Sequence, residues 1–121
     1  MSYTVIVSIP HPRLSPNARS HWAVKAKFVK AARREAFAQA MKAMGRNKPD
    51  GWLKAGVKIV AYFKTARHPD PDNMVASLKA VFDGIADSGM IFNDRSLWPD
   101  RPEIKKDSKN PRIELTITGE E

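Results

Sequence analysis

The sequence predicts an α/β (α+β) fold: a single domain over residues 1–121, with two main helices packed on a mixed β-sheet in the order β-α-β-α-β-β. Three observations carry this expectation. Short runs alternate apolar and polar residues with a period of two, and two intervening stretches repeat their apolar residues at helical spacing. No repeat, low-complexity tract or long linker divides the 121 residues, a length suited to one hydrophobic core.

Residues 3–9, YTVIVSI, place Val5, Val7 and Ile9 on one side of a first strand. The segment PHPRLSPNARS then interrupts regular structure with three prolines, and Ser20 is the expected N-cap of a helix. From about His21 to Met44 good helix formers dominate, and Phe28, Ala32, Ala36, Ala40 and Met44 form a narrow apolar stripe. Gly45 and the NKPDG segment end it. In Lys54–Lys64, Val57, Ile59, Ala61 and Phe63 share one face while Val60 and Tyr62 share the other, which predicts a strand partly covered on both sides. A second helix is expected over Asn73–Asp87, with Met74, Leu78, Val81 and Ile85 inward and Gly89 as its stop. Two further strands follow at about 102–107 and 111–118, joined by a DSKNP turn.

Lys and Arg total 21 against 13 acids, a net charge of +8, which favours a polyanionic partner and disfavours an acidic metabolite. Chemistry and binding would have to share one surface in so short a chain. Cysteine is absent, so disulfides and thiolate metal sites are excluded and nothing marks an oxidising compartment. The N-terminus alternates and lacks an apolar leader core, and no apolar run is long enough to span a bilayer, so the expected compartment is the cytoplasm. The six glycines form no phosphate loop, which disfavours a nucleotide cofactor.

Against this basic background, residues 68–94 concentrate acids. Pro71 biases Asp70 toward extended backbone, and extended residues two apart point the same way, so Asp70 and Asp72 are expected to converge on one ion at the start of the second helix. Asp94, beyond that helix and a turn, is positioned to supply a third carboxylate. Hard cations such as Mg²⁺ need only one or two carboxylates plus phosphate oxygens and water. Asp72, Ala76, Lys79 and Asp83 line a stripe opposite the apolar one. Asp83 lies roughly 16 Å along the axis from Asp72, too far to share an ion, whereas Lys79 is roughly 10 Å away and leans back toward it. Lys79 is therefore assigned to the scissile phosphate, with Asp83 as the i+4 partner that orients it. A Pro-containing turn with an ordinary helix cap is the competing account of DPDN.

These residues resemble a known signature. DPDNMVASLKAVFDGIADSGMIFND is similar to the central motif of the RusA family of Holliday-junction resolvases, and LSPNARSHW to the loop before that family's first helix. The resemblance covers nearly the whole chain. It implies that Asp70, Asp72 and Asp94 are metal-binding catalytic acids, that Lys79 is the active-site lysine, and that the protein is a homodimer cutting four-way DNA junctions with Mg²⁺ or Mn²⁺. Phage or prophage residence is implied as well. Two positions depart from the pattern: some members carry the lysine one turn earlier, where this chain has Ala76, and Asn93 stands where many have a second Asp.

Phosphate contacts are expected from Arg13 and Arg19 in the first loop, from Lys27, Lys30 and Arg34 along the first helix, and from Arg67 beside the acids. Lys105, Lys106 and Lys109 near the last turn are further candidates. Trp22 and Trp98 are expected to be partly buried core aromatics, with base stacking as the alternative. The three histidines lack mutual ligand spacing, which disfavours zinc, although His68 adjoins the acids. A non-catalytic nucleic-acid binder and a nuclease of flaps or forks are the rival readings.

Overall fold

The computed structural model describes residues 1–15 and 21–120. Its strands are β1 (Ser2–Val7), β2 (Ala55–Phe63), β3 (Leu97–Pro99), β4 (Glu103–Lys106) and β5 (Arg112–Gly119). The helices are α1 (Trp22–Met44), α2 (Pro71–Ser77) and α3 (Lys79–Asp87), with short 3₁₀ turns at Pro12–Leu14 and Asp94–Ser96. β5 is central and runs antiparallel to both β1 and β2, while β2 pairs in parallel with β3 and β4 along its other edge. The expected α+β class and mixed sheet are present.

Alternation decides which face is buried. Val5, Val7, Val57, Ile59, Ile113, Leu115 and Ile117 turn to one side and meet Ala36, Ala40 and Met44 of α1 and Val81 and Ile85 of α3. Burying each branched side chain contributes about 1.5–3 kcal/mol. The opposite face is only half-buried: Val60 and Tyr62 are intermediate, and the Arg112 guanidinium lies 4.0 Å from the Tyr62 ring centroid. The expected partial cover on both sides of β2 is present: the helices bury one face, and the other is intermediate apart from exposed Lys58, with Arg112 lying over Tyr62.

The small residues of α1 allow the two long helices to approach closely. A Cβ added at Gly84 would run into the Arg33 carbonyl oxygen and the Ala36 side chain, so only glycine fits at this crossing. Beside it Arg33 clasps Asp87 through two hydrogen bonds, Nε to Oδ2 at 2.6 Å and Nη2 to Oδ1 at 2.8 Å. That hydrogen bond holds the Asp87 carboxyl below its ordinary value, and the charge of Arg33 adds to the effect. A carboxyl depressed in the folded state stabilises above its unfolded pKa of about 4, and the contribution is lost as pH falls through the folded value. Asp87→Asn is thus expected to lower Tm at neutral pH, with the gap to the parent closing as the solution is acidified below about pH 4. Thermal melts across pH would read this directly.

Three element boundaries differ from expectation for identifiable reasons. His21 is the N-cap of α1, its Nδ1 accepting the Ala23 N–H at 3.2 Å, whereas Ser20 lies outside the described residues. The second helix begins earlier, because Pro71 occupies the first helical position, where its missing N–H costs nothing. It also breaks at Leu78. Ser77 Oγ donates to the Asn73 carbonyl at 2.7 Å, and the Leu78 N–H turns to Val75 O at 3.0 Å, a tighter three-residue step. A strand that sequence periodicity had not marked, β3, pairs with the start of β2, and the register advances by one residue before β4 takes over. Pro99 and Pro102 bracket this irregularity.

Candidate functional site

The loop carrying Asp94 is fastened to the body of the fold. Gly89 takes φ 85° to leave α3. Trp52 N–H then donates to Met90 O at 3.1 Å, and Phe92 N–H donates to Trp52 O at 2.9 Å. Trp52 itself packs over Gly119 at the end of β5 and lies 5.7 Å from the Tyr3 ring. Asn93 closes the turn, its Oδ1 accepting the Arg95 N–H at 2.8 Å while its own N–H reaches Ser96 Oγ at 3.4 Å. At this position the amide is a cap, so the missing second Asp has a structural occupant.

So held, Asp94 meets the first residue of α3. Lys79 Nζ donates to Asp94 Oδ2 at 2.9 Å and to Asp83 Oδ1 at 3.4 Å. The expected i+4 partnership with Asp83 is present, yet the shorter contact is to the distant acid. The hydrogen bond to Asp94 raises the Lys79 ammonium above its ordinary pKa, against the small cost of burial, and the charge of Asp83 adds to the rise. In return Lys79 holds the Asp94 carboxyl below its usual range. Both groups are therefore ionised at neutral pH. The Lys79 side chain remains 69% exposed, so an incoming phosphate can reach it.

Asp70 and Asp72 are both exposed. Asp70 is extended, with φ −56° and ψ 146°, and its side chain makes no cap hydrogen bond, leaving its carboxylate uncommitted to the helix. Asp72 is already inside the first turn of α2, so the strand-like alternation expected to aim the pair at one ion does not apply. Among the described residues no group of three His, Asp or Glu side chains is gathered closely enough to hold a metal ion. Asp94 is engaged by Lys79 instead. The three acids do not fit a closed cation site in this arrangement.

Of the expected phosphate contacts, Arg13, Lys27, Lys30, Arg34 and Arg67 are exposed, and Arg19 lies outside the described residues. Lys105, Lys106 and Lys109 are exposed as well. Trp22 and Trp98 are 77% and 61% exposed, which overturns the expectation that they pack in the core. Trp98 stands on the sheet's open side with Lys54 Nζ 4.9 Å from its ring centroid. His68 leans on Phe63 and its Nδ1 lies 3.0 Å from Pro69 O. One cation escaped the sequence reading: Lys25, which with Lys79 and Asp83 lines a cleft of about 260 Å³. The signal was available. Lys25, Val29, Ala32 and Ala36 follow helical spacing, so a lysine heads a stripe that otherwise faces inward.

No family model matches the sequence. The chain is 38% identical over 114 residues to an uncharacterized protein of Xylella fastidiosa strain Temecula1, an alignment covering 91% of this chain and 72% of that protein. It belongs to the same family as that protein. No helix among the described residues is long and apolar enough to cross a membrane.

Proposed function

We propose that this protein is a RusA-like endodeoxyribonuclease that nicks four-way DNA junctions in the cytoplasm, acts as a homodimer and requires Mg²⁺ or Mn²⁺. The observation that carries the reading is the 2.9 Å contact between Lys79 and Asp94, two residues of the acid-rich segment that α3 and its following turn bring together on the surface of a protein of net charge +8. Lys79 supplies a permanent positive charge at an accessible position, suited to opposing the charge that grows on a phosphate under attack. Asp94 and Asp83 orient that ammonium. The exposed cations of α1 supply sequence-independent grip on the backbone. Two-fold symmetry in the junction would be matched by two subunits making paired cuts.

A metal-dependent nuclease would draw on Asp70, Asp72 and Asp94 as oxygen donors, the type of ligand a hard cation prefers. The separation of these acids favours one rival, a non-catalytic binder in which α1 carries the affinity. A mobile four-way junction incubated with magnesium, and in parallel with a chelator, separates the two. Nicking is expected only with the metal. Asp70→Asn and Asp72→Asn should each lose at least about 100-fold in nicking rate while keeping junction affinity. Full activity in either variant, or none in the parent protein, would refute the assignment. Flap and linear duplex substrates at the same salt concentration test whether junctions are preferred, because electrostatic affinity changes steeply with salt.

A further inference from the structure

The geometry points to a subsite that receives one unstacked nucleobase, in the cleft between the β1–α1 connection and α2. The inference rests on the nuclease reading for the identity of the strand it engages. The cleft has a volume of about 500 Å³, within the roughly 300–1,000 Å³ of small-molecule sites. Pro10, Phe63, Pro69 and Met74 give it apolar walls, and Pro69 is the residue immediately before Asp70. Flat rings and apolar surfaces of this kind take the face of any base. A base inside an intact duplex cannot enter such a recess, whereas one at a branch point is already partly released from its stack.

Three polar side chains line the same cleft, His11, Ser15 and Ser77. His11 Nδ1 accepts the Arg13 N–H at 3.1 Å, so the proton of the neutral ring resides on Nε2, a donor for a ring nitrogen or carbonyl of a base. The imidazole is fixed by stacking on Phe28, with centroids 3.9 Å apart and planes 16° from parallel. The chain beside it is fixed too, since Glu35 of α1 accepts from Ser8 N–H at 2.9 Å and from Ser8 Oγ at 2.6 Å. This wall is therefore preformed. Ser77 also lines the neighbouring cleft of Lys25 and Lys79, so cations suited to phosphate lie directly beyond the base recess. An apolar recess with a fixed imidazole donor, bordered beyond Ser77 by lysines and next to Pro69 by Asp70, matches a nucleotide better than a peptide or an acyl chain.

The test uses the full-length protein and four-way junctions carrying 2-aminopurine at single positions around the branch point, with a chelator present so that nothing is cut. Binding is expected to raise the fluorescence of one position by about threefold or more as that base leaves its stack. His11→Ala, which removes an exposed side chain, and Ser77→Phe, which fills the recess, should each reduce that rise to less than about half while junction affinity falls by no more than about fivefold. Circular dichroism checks folding, and His11→Ala decides if Ser77→Phe fails to fold. No rise at any position under saturating protein, or an undiminished rise in His11→Ala, overturns the subsite. Magnesium-dependent nicking without any fluorescence rise removes the subsite and leaves the nuclease. A rise abolished by the variants without nicking under magnesium does the reverse.

Discussion

Asp94→Asn is expected to lower the rate of junction nicking by at least about 100-fold, against about threefold at most for Asp83→Asn. The two carboxylates share one lysine and differ in how they meet it. Asp83 sits one turn along the same helix at 3.4 Å, an exposed i+4 pair that α3 would retain in most rotamers. Asp94 comes from a separate segment, at 2.9 Å, and its place depends on the Gly89 turn, the Trp52 bridge and the Asn93 cap. Removing its charge leaves Lys79 without its nearer partner and removes one of the three acids proposed to serve the metal. Junction affinity, measured without magnesium, should change little in either variant, because the cations of α1 are untouched. Equal losses in both variants would show that Asp94 acts only as a surface counter-ion.

The largest effect on stability is expected at Gly84. In a solvent-exposed helix, glycine to alanine stabilises by about 0.5–1 kcal/mol. Here the sign reverses. The new Cβ would meet the Arg33 carbonyl oxygen and the Ala36 Cβ, atoms of a packed helix that cannot swing aside. Gly84→Ala should therefore cost about 1–3 kcal/mol, seen as a fall in Tm of roughly 5–15 °C. Gly56→Ala is the control: nothing lies within 4 Å of its added Cβ, so its melting temperature should be unchanged or higher. A Gly84→Ala protein as stable as the parent would mean that α1 and α3 separate readily at their crossing.

Much of the architecture was legible because alternation and helical spacing are both strong in this chain. Val57, Ile59, Ala61 and Phe63 could hardly mark anything but a half-buried strand, and Met74, Leu78, Val81 and Ile85 mark a buried stripe whether or not the helix is continuous. That is also why the break at Leu78 was invisible. Leu78 keeps its place in the stripe, and the cause lies in the Ser77 hydroxyl, which competes for a backbone carbonyl. β3 went unmarked because three residues ending in proline carry no periodic signal. Trp22 and Trp98 show the limit of reading burial from residue type: each lies at an element's end or on an open face.

In the site, Asp94 was expected beside Asp70 and Asp72 and meets Lys79 instead, whereas the i+4 pairing of Lys79 with Asp83 was anticipated from helix geometry. The orientation of Asp72 was not, since Pro71 fits two roles: it biases the preceding residue toward extended backbone and it starts a helix. Both occur here, the first at Asp70 and the second from Pro71 onward. Lys25 was passed over because attention to exposed basic residues selects the outer face of α1, whereas the cleft beside Lys79 opens on its inner one.

The interrupted border formed by β3 and β4 carries a consequence for behaviour at high concentration. A continuous outer strand offers a neighbouring molecule an unbroken row of amide donors and carbonyl acceptors, the template on which fibrils lengthen. Two prolines and a one-residue slip in register deny that template on this flank. The opposite flank, β1, has no such interruption. Any ribbon-like self-association of folded molecules should therefore start there, and a lysine at Thr4 or Ile6, both on its outward face, should suppress it.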